Sequence, residues 1–192
     1  MIVDGNVGAG SGAERKIAVR PATLQDARSI GRVHVRAWQV AYSEIVPDRF
    51  LNRLSTANSS ARWRSRIARN DTHIFVVEAD RQVVGFCSCG AARDEDILAS
   101  AAAEIYAFYL HPDYWRRGIG RRMMAHSLSL LREDGYTDVY LWALTENRRA
   151  IFFYRAMGFI ADGAHKVDST DPTVQLPESR YRRSLVVEPD FG

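Results

Sequence analysis

Four arginines and two glycines occupy one short segment, Arg116-Arg117-Gly118-Ile119-Gly120-Arg121-Arg122, at the expected start of a helix. The first N–H groups of a helix have no intrahelical partner, and together with the helix dipole they present positive potential, so acidic side chains are usual there. Cations at this place lower stability unless an anion binds, and glycine lets a phosphate approach the backbone closely. The segment therefore predicts a phosphate or diphosphate site, and the alternative is a solvated basic helix end.

The two common nucleotide-binding patterns do not account for this segment. A P-loop needs Gly-Lys-Ser/Thr at the helix start, and the sequence has no such tripeptide. A dinucleotide-binding fingerprint needs a third glycine at position 123, which is Met123. A rival from another class is a nucleic-acid-binding module, in which Tyr114 and Trp115 lie among seven arginines. Those arginines are Arg116, Arg117, Arg121, Arg122, Arg148, Arg149 and Arg155.

Metal and nucleophile chemistry are not indicated by the histidines or the cysteines. The histidines show no H-E-x-x-H or H-x-H spacing, and no G-x-S-x-G turn occurs. Cys87 and Cys89 form a C-x-C pair on an expected strand, where alternate side chains share a face without reaching disulfide geometry. We predict no metal site and two reduced, buried, structural cysteines.

The elements around the arginine-glycine segment predict a βαβ unit. Glu104 to Leu110 (EIYAFYL) is typical of a strand, a helix follows to about Asp134, and Asp138 to Leu144 (DVYLWAL) is the next strand. A unit of this size implies a parallel strand pair. Ligands in such units bind at the carboxyl end of the strand, so we expect the chemistry around residues 108 to 122.

The other patterns predict an α/β (α+β) fold. We expect a mixed, mostly antiparallel twisted sheet of six to seven strands, with helices on both faces and the parallel βαβ unit at its centre. The remaining strands are expected at Ile17–Pro21, His73–Ala79, Gln82–Gly90, Phe159–Ala161 and Arg180–Val187. The remaining helices are expected from Thr23 to Ala41, after Pro47, from about Ser59 to Arg69, and over Arg148–Met157.

Composition is typical of a globular protein. The chain has 192 residues, 46% of them hydrophobic, and its 26 basic and 23 acidic residues are close to balance, so the charge alone predicts no polyanionic partner. We expect a flexible N-terminal tail over residues 1–15 and a single domain over 16–192. Neither a membrane-spanning apolar run nor a signal peptide is recognisable, which favours a cytoplasmic protein without a membrane partner.

Two motifs resemble those of a known family. YLHPDYWRRGIG and ENRRAIFFYRAMGF are similar to the acetyl-CoA-binding core of the GCN5-related N-acetyltransferase (GNAT) superfamily, and the earlier elements, from VRPATLQDA onward, resemble it too. The resemblance implies an enzyme that transfers an acetyl group directly from acetyl-CoA to a primary amine of a small molecule or peptide. It also implies no nucleic-acid partner and allows a homodimer, and a non-catalytic coenzyme A sensor is the alternative. Trp115 departs from the Gln or Arg usual at its position.

The resemblance also implies which residues hold the cofactor. The pyrophosphate would bind the backbone amides of residues 116–121, namely Arg116, Arg117, Gly118, Ile119, Gly120 and Arg121, with side-chain help from the arginines. The pantetheine arm would lie between the two parallel strands where they splay apart, against the strand end formed by Tyr109 and Leu110. Asn147 would contact the cofactor arm, cap the following helix, or do both.

The catalytic residues implied by the resemblance are Tyr154 and Glu104. Tyr154 resembles the general acid that protonates the departing thiolate, and Glu104 the base that deprotonates the acceptor amine. A proton relay through Tyr106, or no dedicated base, is the alternative to Glu104. Tyr42, Glu44 and Tyr106 are candidates for the acceptor site, because aromatic faces and carboxylates suit cationic amines. Trp38 lies on the apolar stripe of the first helix and is expected in the core.

Overall fold

The computed structural model describes residues 16–168 and 174–186. Within this part of the chain, the strands form one seven-stranded sheet in the order β1-β2-β3-β4-β5-β7-β6. In chain order they are β1 (Ile17–Pro21), β2 (His73–Ala79), β3 (Gln82–Ala91), β4 (Ala102–Leu110), β5 (Asp138–Leu144), β6 (Ile160–Asp168) and β7 (Leu176–Ser184). The predicted tail over residues 1–15 lies outside the described residues.

The strand pairing confirms the predicted fold class. Strands β4 and β5 are parallel, and every other pair of neighbouring strands in the described sheet is antiparallel. Five helices flank the sheet in the described ranges: α1 (Ala27–Ala41), α2 (Asp48–Leu51), α3 (Thr56–Arg69), α4 (Ile119–Glu133) and α5 (Arg148–Ala156). Helix α4 connects the parallel strands, as the βαβ pattern predicts.

Side chains that alternate along the strands build a core on each face of the sheet. On one face, Phe75 and Val77 of β2 pack with the buried stripe of α4 and with Tyr154 of α5. On the other face, Val76 of β2 packs with Ile30 of α1 and with α3. Cys87 and Cys89 are free and buried in the first core, as predicted. Both cores exclude water from the sheet and hold the helices against it. No helix in the described part of the chain combines the length and apolar character needed to span a membrane.

The last two strands differ from their predicted bounds. Strand β6 is longer than the predicted Phe159–Ala161, because it is an edge strand exposed on both faces and so carries no hydrophobic alternation. Strand β7 begins at Leu176 and ends at Ser184, earlier than predicted. The apolar residues from 185 misled the prediction, whereas Arg180, inside the strand, is buried with three aspartates as partners.

Strands β4 and β5 diverge soon after they begin. Their pairing runs only from Ala102 opposite Asp138 to Ile105 opposite Leu141. On the other side of β4, Ala107 pairs with Ser88 while Ile105 pairs with Cys89, so Tyr106 is an extra residue in a β-bulge. A bulge bends its strand and increases the local twist. The bulge therefore turns the end of β4 away from β5, which gives the predicted splay.

Candidate active site

A cleft of about 420 Å³ opens where β4 and β5 diverge. Consecutive residues of both strands line it, including Phe108 and Tyr109 of β4 and Trp142 and Ala143 of β5. Since consecutive strand residues point to opposite faces, the cleft passes between the strands rather than along one face of the sheet. Its walls are completed by Trp38 and Tyr42 of α1, Asn147 and Tyr154 at α5, and the β6–β7 hairpin.

The arginine-glycine segment forms the start of α4 beside the end of β4. Arg116 and Gly118 have positive φ values of 59° and 74°, and Gly118 is the N-cap of α4. Left-handed residues in such a turn direct successive N–H groups into a concave surface that binds anions. Ile119 is buried in the core below, while Arg116 and Arg117 are exposed. The structure thus brings the six predicted residues, 116–121, together at the start of α4, and their binding of a phosphate stays a prediction.

Gly120 leaves room above the first turn of α4. A Cβ atom built on it would lie 3.5 Å from the ring of Phe153, which is an ordinary contact, so the backbone fold does not require glycine there. A larger side chain would add bulk beside the backbone N–H groups of the first turn of α4. Glycine at this position therefore fits a close approach of a ligand to the backbone.

Trp115 connects the cradle to the end of β4. Its indole Nε1 donates a hydrogen bond to the backbone carbonyl of Leu110 over 2.7 Å, and the guanidinium of Arg149 lies 4.4 Å from the centre of its ring. A carbonyl oxygen has two lone pairs, so Leu110 keeps an acceptor site for a second donor. Trp115, which stands where Gln or Arg is usual, thus provides a ring on which Arg149 of α5 stacks, next to residues 116–121.

Asn147 caps α5 and lines the cleft at the same time. Its Oδ1 accepts a hydrogen bond from the backbone N–H of Ala150 over 3.2 Å, which satisfies one of the unpaired donors at the helix start. The residue is buried at the cleft wall. The structure therefore shows that Asn147 caps the helix. A contact between Asn147 and the cofactor arm stays a prediction, with which its position at the cleft wall agrees.

Tyr154 lies in the wall of the cleft, on the same face of the sheet as α4. Its ring has edge contacts with Phe108 and Phe159 at centroid distances of 6.4 and 6.0 Å. Burial raises the pKa of Tyr154 well above its ordinary value. The hydroxyl is therefore protonated at neutral pH and able to donate a hydrogen bond into the cleft.

Glu104 is buried in the cleft with both carboxylate oxygens engaged. Arg93 donates from Nε to Oε2 over 2.9 Å and from Nη2 to Oε1 over 2.6 Å. The same guanidinium lies 4.0 Å from the ring centre of Tyr106, whose hydroxyl donates to the carbonyl of Ala91 over 2.5 Å. Burial raises the pKa of Tyr106 to about 12. Arg93 thus contacts both candidate bases, Glu104 and Tyr106. The sequence analysis did not identify Arg93 as a site residue.

Helix α1 contributes aromatic residues to the opposite wall. Trp38 and Tyr42 meet edge to face at 4.7 Å, and the Trp38 indole donates to the hydroxyl of Tyr109 over 3.0 Å. Burial holds the pKa of Tyr42 well above its ordinary value. Trp38 packs against the core cluster that contains Tyr42 and Leu51, as expected, and it is also partly exposed and lines the cleft. Glu44 is not among the lining residues, because the chain turns away after α1 and leaves it exposed.

The β6–β7 hairpin supplies cleft residues that sequence reasoning missed. Lys166, Asp168 and Glu178 line the cleft together with Trp142 of β5. Lys166 pairs with Glu178 across the hairpin, and Glu178 pairs with Leu144 of β5. The strand register that brings them to the site was not predicted, so no local signal identified them. Within the described ranges, no group of three or more His, Cys, Asp or Glu residues is placed to hold a metal ion.

A parallel strand pair that opens into a cleft, next to a glycine turn at the start of the connecting helix, is the arrangement expected of an acyltransferase that uses coenzyme A. Comparison with known sequences identifies the family. The profile of the acetyltransferase (GNAT) family matches residues 35–159. The uncharacterised N-acetyltransferase YuaI of Bacillus subtilis (strain 168) is 33% identical over 138 residues, which are 71% of this chain and 77% of that protein. The chain belongs to the GNAT family.

Two further relatives are more distant. The spermidine N(1)-acetyltransferase of Thermoplasma acidophilum is 22% identical over 86% of this chain and 98% of its own length. The structure of PaiA N-acetyltransferase from Thermoplasma acidophilum in complex with coenzyme A has a TM-score of 0.68 at 20% identity, over 88% of this chain and 99% of that one. The second likeness shows the same fold. As a member of the GNAT family, the chain is an N-acetyltransferase, and acetyl-CoA is its acetyl donor.

Proposed function

We propose that the enzyme transfers the acetyl group directly from acetyl-CoA to a primary amine of a small molecule or peptide, without an acetylated enzyme intermediate. The observation that carries the proposal is the continuity of the cleft: it joins the end of β4, beside the phosphate cradle, to an aromatic and charged wall. The chain would thus hold a donor and an acceptor from opposite ends of one passage. Such an arrangement lowers the entropic cost of bringing two substrates together.

The cradle would bind the pyrophosphate of the donor. The left-handed backbone at Arg116 and Gly118 is a conformation that directs N–H groups toward an anion, Arg116 and Arg117 are exposed, and the guanidinium of Arg149 stacks on Trp115. The pantetheine arm would extend along the strand end at Tyr109 and Leu110, where the separation from β5 leaves backbone groups without a parallel partner. Asn147 would border the arm from the start of α5.

Tyr154 would act as the general acid. The acceptor nitrogen forms a bond to the carbonyl carbon of the thioester, the carbon–sulfur bond breaks, and the thiolate takes up a proton. The Tyr154 hydroxyl keeps its proton at neutral pH and lines the cleft. It would therefore donate to the sulfur as negative charge develops there. The proton lost by the acceptor goes to a base, for which Glu104 stays a prediction.

The acceptor would be a cation before it reacts, because primary alkylamines are protonated at neutral pH. Tyr42, Tyr106 and Trp142 offer aromatic faces to an ammonium group. Glu104, Asp168 and Glu178 bring carboxylates to the same part of the cleft. The name of the Thermoplasma relative, a spermidine acetyltransferase, is consistent with a cationic amine. Glu44, which lies outside the cleft, is not part of this proposed site.

A panel of primary amines tests the proposal by release of free thiol from acetyl-CoA. The panel should include polyamines, amino acid amides, aromatic ethylamines and short peptides, and we expect turnover with at least one class. Calorimetric binding of acetyl-CoA without thiol release from any amine would instead support a coenzyme A sensor. A salt titration tests the alternative of a nucleic-acid-binding module, because binding to nucleic acid weakens by orders of magnitude between low and moderate salt. A coenzyme bound in a cleft should lose far less.

A further inference from the structure

Glu178 and Lys166 form a pair in the cleft that differs from the Arg93–Glu104 pair. Nζ of Lys166 lies 3.8 Å from Oε2 of Glu178, beyond normal hydrogen-bond distance, whereas Arg93 engages both oxygens of Glu104 at 2.9 Å or less. The Glu178 side chain is 18% exposed and the Lys166 side chain 41% exposed. The carboxylate of Glu178 is therefore held more loosely than that of Glu104. Lys166 is more easily displaced from Glu178 than Arg93 is from Glu104.

Lys166 has the surroundings expected of a bound alkylammonium. Its Nζ lies 4.0 Å from the ring centre of Trp142 and 3.8 Å from Oε2 of Glu178. Trp142 follows directly after Leu141, the last β5 residue paired with β4, so its ring stands where the cleft begins. The chain thus places one of its own primary amines between an aromatic face and a carboxylate in the cleft.

We propose that Glu178 is the carboxylate that binds and deprotonates the acceptor ammonium, and that Lys166 occupies the ammonium position until the acceptor displaces it. The inference rests on the proposed function. The proton moves from the ammonium to a Glu178 oxygen, and Glu178 later returns it to water. The neutral amine attacks the thioester carbon, and as the carbon–sulfur bond breaks the nitrogen loses a second proton, which replaces the one that Tyr154 gives to the sulfur. Glu104, whose oxygens are both committed to Arg93, is then a positioning residue that orders Arg93 and Tyr106.

The groups around Glu178 suit this role. Lys166 and Asp168 face it from β6, Glu104 from β4, and the hydroxyls of Tyr42 and Tyr109 lie nearby. Burial, followed by the two neighbouring carboxylates, raises the pKa of Glu178, and Lys166 opposes this rise. When an acceptor replaces Lys166, its ammonium supplies the same opposing charge. A carboxylate with a raised pKa is a stronger base toward that ammonium.

The kinetic test compares two acceptors of the same shape, 2-phenylethylamine and its β,β-difluoro analogue. The first is an ammonium at neutral pH, whereas the fluorines make the second weakly basic and largely neutral at pH 8. We expect Glu178→Gln to lower kcat/KM at least about 30-fold for the first and less than about 3-fold for the second, since a neutral amine needs no base. Glu133→Gln, at the exposed end of α4, is the matched control. Equal losses with both amines, or a larger amine-dependent loss in Glu104→Gln, would overturn the proposal.

A labelling test needs no turnover, so it separates this inference from the proposed function. The chain contains only two lysines, Lys16 and Lys166, and Lys16 serves as an internal reference outside the cleft. A brief pulse of excess deuterated acetic anhydride is given to the protein bound to desulfo-coenzyme A, which has no thiol for the anhydride to acetylate, with and without 2-phenylethylamine. We expect the amine to raise labelling of Lys166 several-fold relative to Lys16, and Glu178→Gln to abolish the increase. Unchanged labelling in the wild-type protein would contradict displacement of Lys166.

Lys166→Met provides a third measurement. Methionine keeps the length of the side chain over Trp142 but removes the competing ammonium. We expect KM for 2-phenylethylamine to fall several-fold while kcat changes less than twofold, because the acceptor no longer displaces an internal ion. A rise in KM would contradict the proposal. Calorimetric affinity for coenzyme A, expected to be unchanged in all these variants, verifies that each one is folded.

Discussion

The guanidinium of Arg93 holds the carboxylate of Glu104 through two parallel hydrogen bonds at the entrance of the cleft. The two residues differ in exposure, because the side chain of Arg93 is 63% exposed and that of Glu104 is 5% exposed. Arg93 follows the end of β3, whereas Glu104 lies in β4. The ion pair therefore links the start of the β3–β4 loop to β4. A buried carboxylate in this position requires its cation.

Removing the cation of this pair should destabilise the protein. Arg93→Met leaves Glu104 buried and unpaired, and we expect the free energy of unfolding at pH 7 to fall by about 2 kcal/mol, less than for a fully buried pair because Arg93 is exposed. Urea unfolding at pH 7 measures this loss. The double variant Arg93→Met/Glu104→Gln should recover most of the loss, and an additive loss would contradict the ion pair as its cause.

The phosphate cradle predicts that Gly120 is required for cofactor binding but not for folding. Gly120→Leu should raise the dissociation constant for coenzyme A at least about 30-fold, because its side chain fills the surface that the N–H groups face. Thermal unfolding should be unchanged or slightly higher in temperature, since glycine is a poor helix former. Calorimetry measures the affinity. Ser129→Ala, on the exposed side of the same helix, is the control, and unchanged affinity in Gly120→Leu would exclude the cradle.

Removing the hydroxyl of Tyr154 should lower turnover without weakening the binding of coenzyme A. Tyr154→Phe keeps the ring contacts with Phe108 and Phe159 but removes the proton donor, so kcat should fall about 100-fold. The affinity for coenzyme A should change less than about twofold, because the hydroxyl serves the reaction rather than the ground state. Thiol release and calorimetry give the two values. Equal turnover in the variant and the wild-type protein would assign Tyr154 to the core alone.

Burial of His34 should make the folded protein less stable in mild acid. Burial lowers the pKa of His34 from 6.5 to about 4, and its Nδ1 lies 2.9 Å from the hydroxyl of Ser59. The unfolded chain takes up this proton below pH 6.5 and the folded chain only near pH 4, so stability falls as the pH decreases through that window. The loss corresponds to about 3 kcal/mol, because one pKa unit is equivalent to about 1.4 kcal/mol.

Urea unfolding between pH 7 and pH 4 checks the role of His34. His34→Gln keeps a polar group near Ser59 but has no proton to take up in this range, so its stability should depend less on pH. The same pH dependence in His34→Gln as in the wild-type protein would show that another group is responsible.

Local chemistry in the sequence was enough to predict much of the site. A helix start with Arg116, Gly118 and Gly120 predicts an anion site because glycine and unpaired N–H groups have the same consequences in any fold. The regular periodicity of α4 and β5 likewise places the parallel pair and its connecting helix. Strands β2 and β3 lie close to the ranges expected from their sequence, and the structure joins them through Asp80 and Arg81, whose φ values are 51° and 68°.

The charged side of the cleft was decided by long-range packing. Glu178 and Lys166 reach the cleft through the register of β6 and β7, and β6 is an exposed edge strand whose sequence has no hydrophobic period. Trp38 of α1 lies at the cleft wall beside Tyr109 of β4, and Arg93 reaches Glu104 across the connection between β3 and β4. The sequence by itself determined the glycine-rich turn at the start of α4, since that depends on residues close together in the chain. Only the tertiary structure decided which carboxylates and aromatic rings line the cleft, because their meeting depends on the pairing of distant strands.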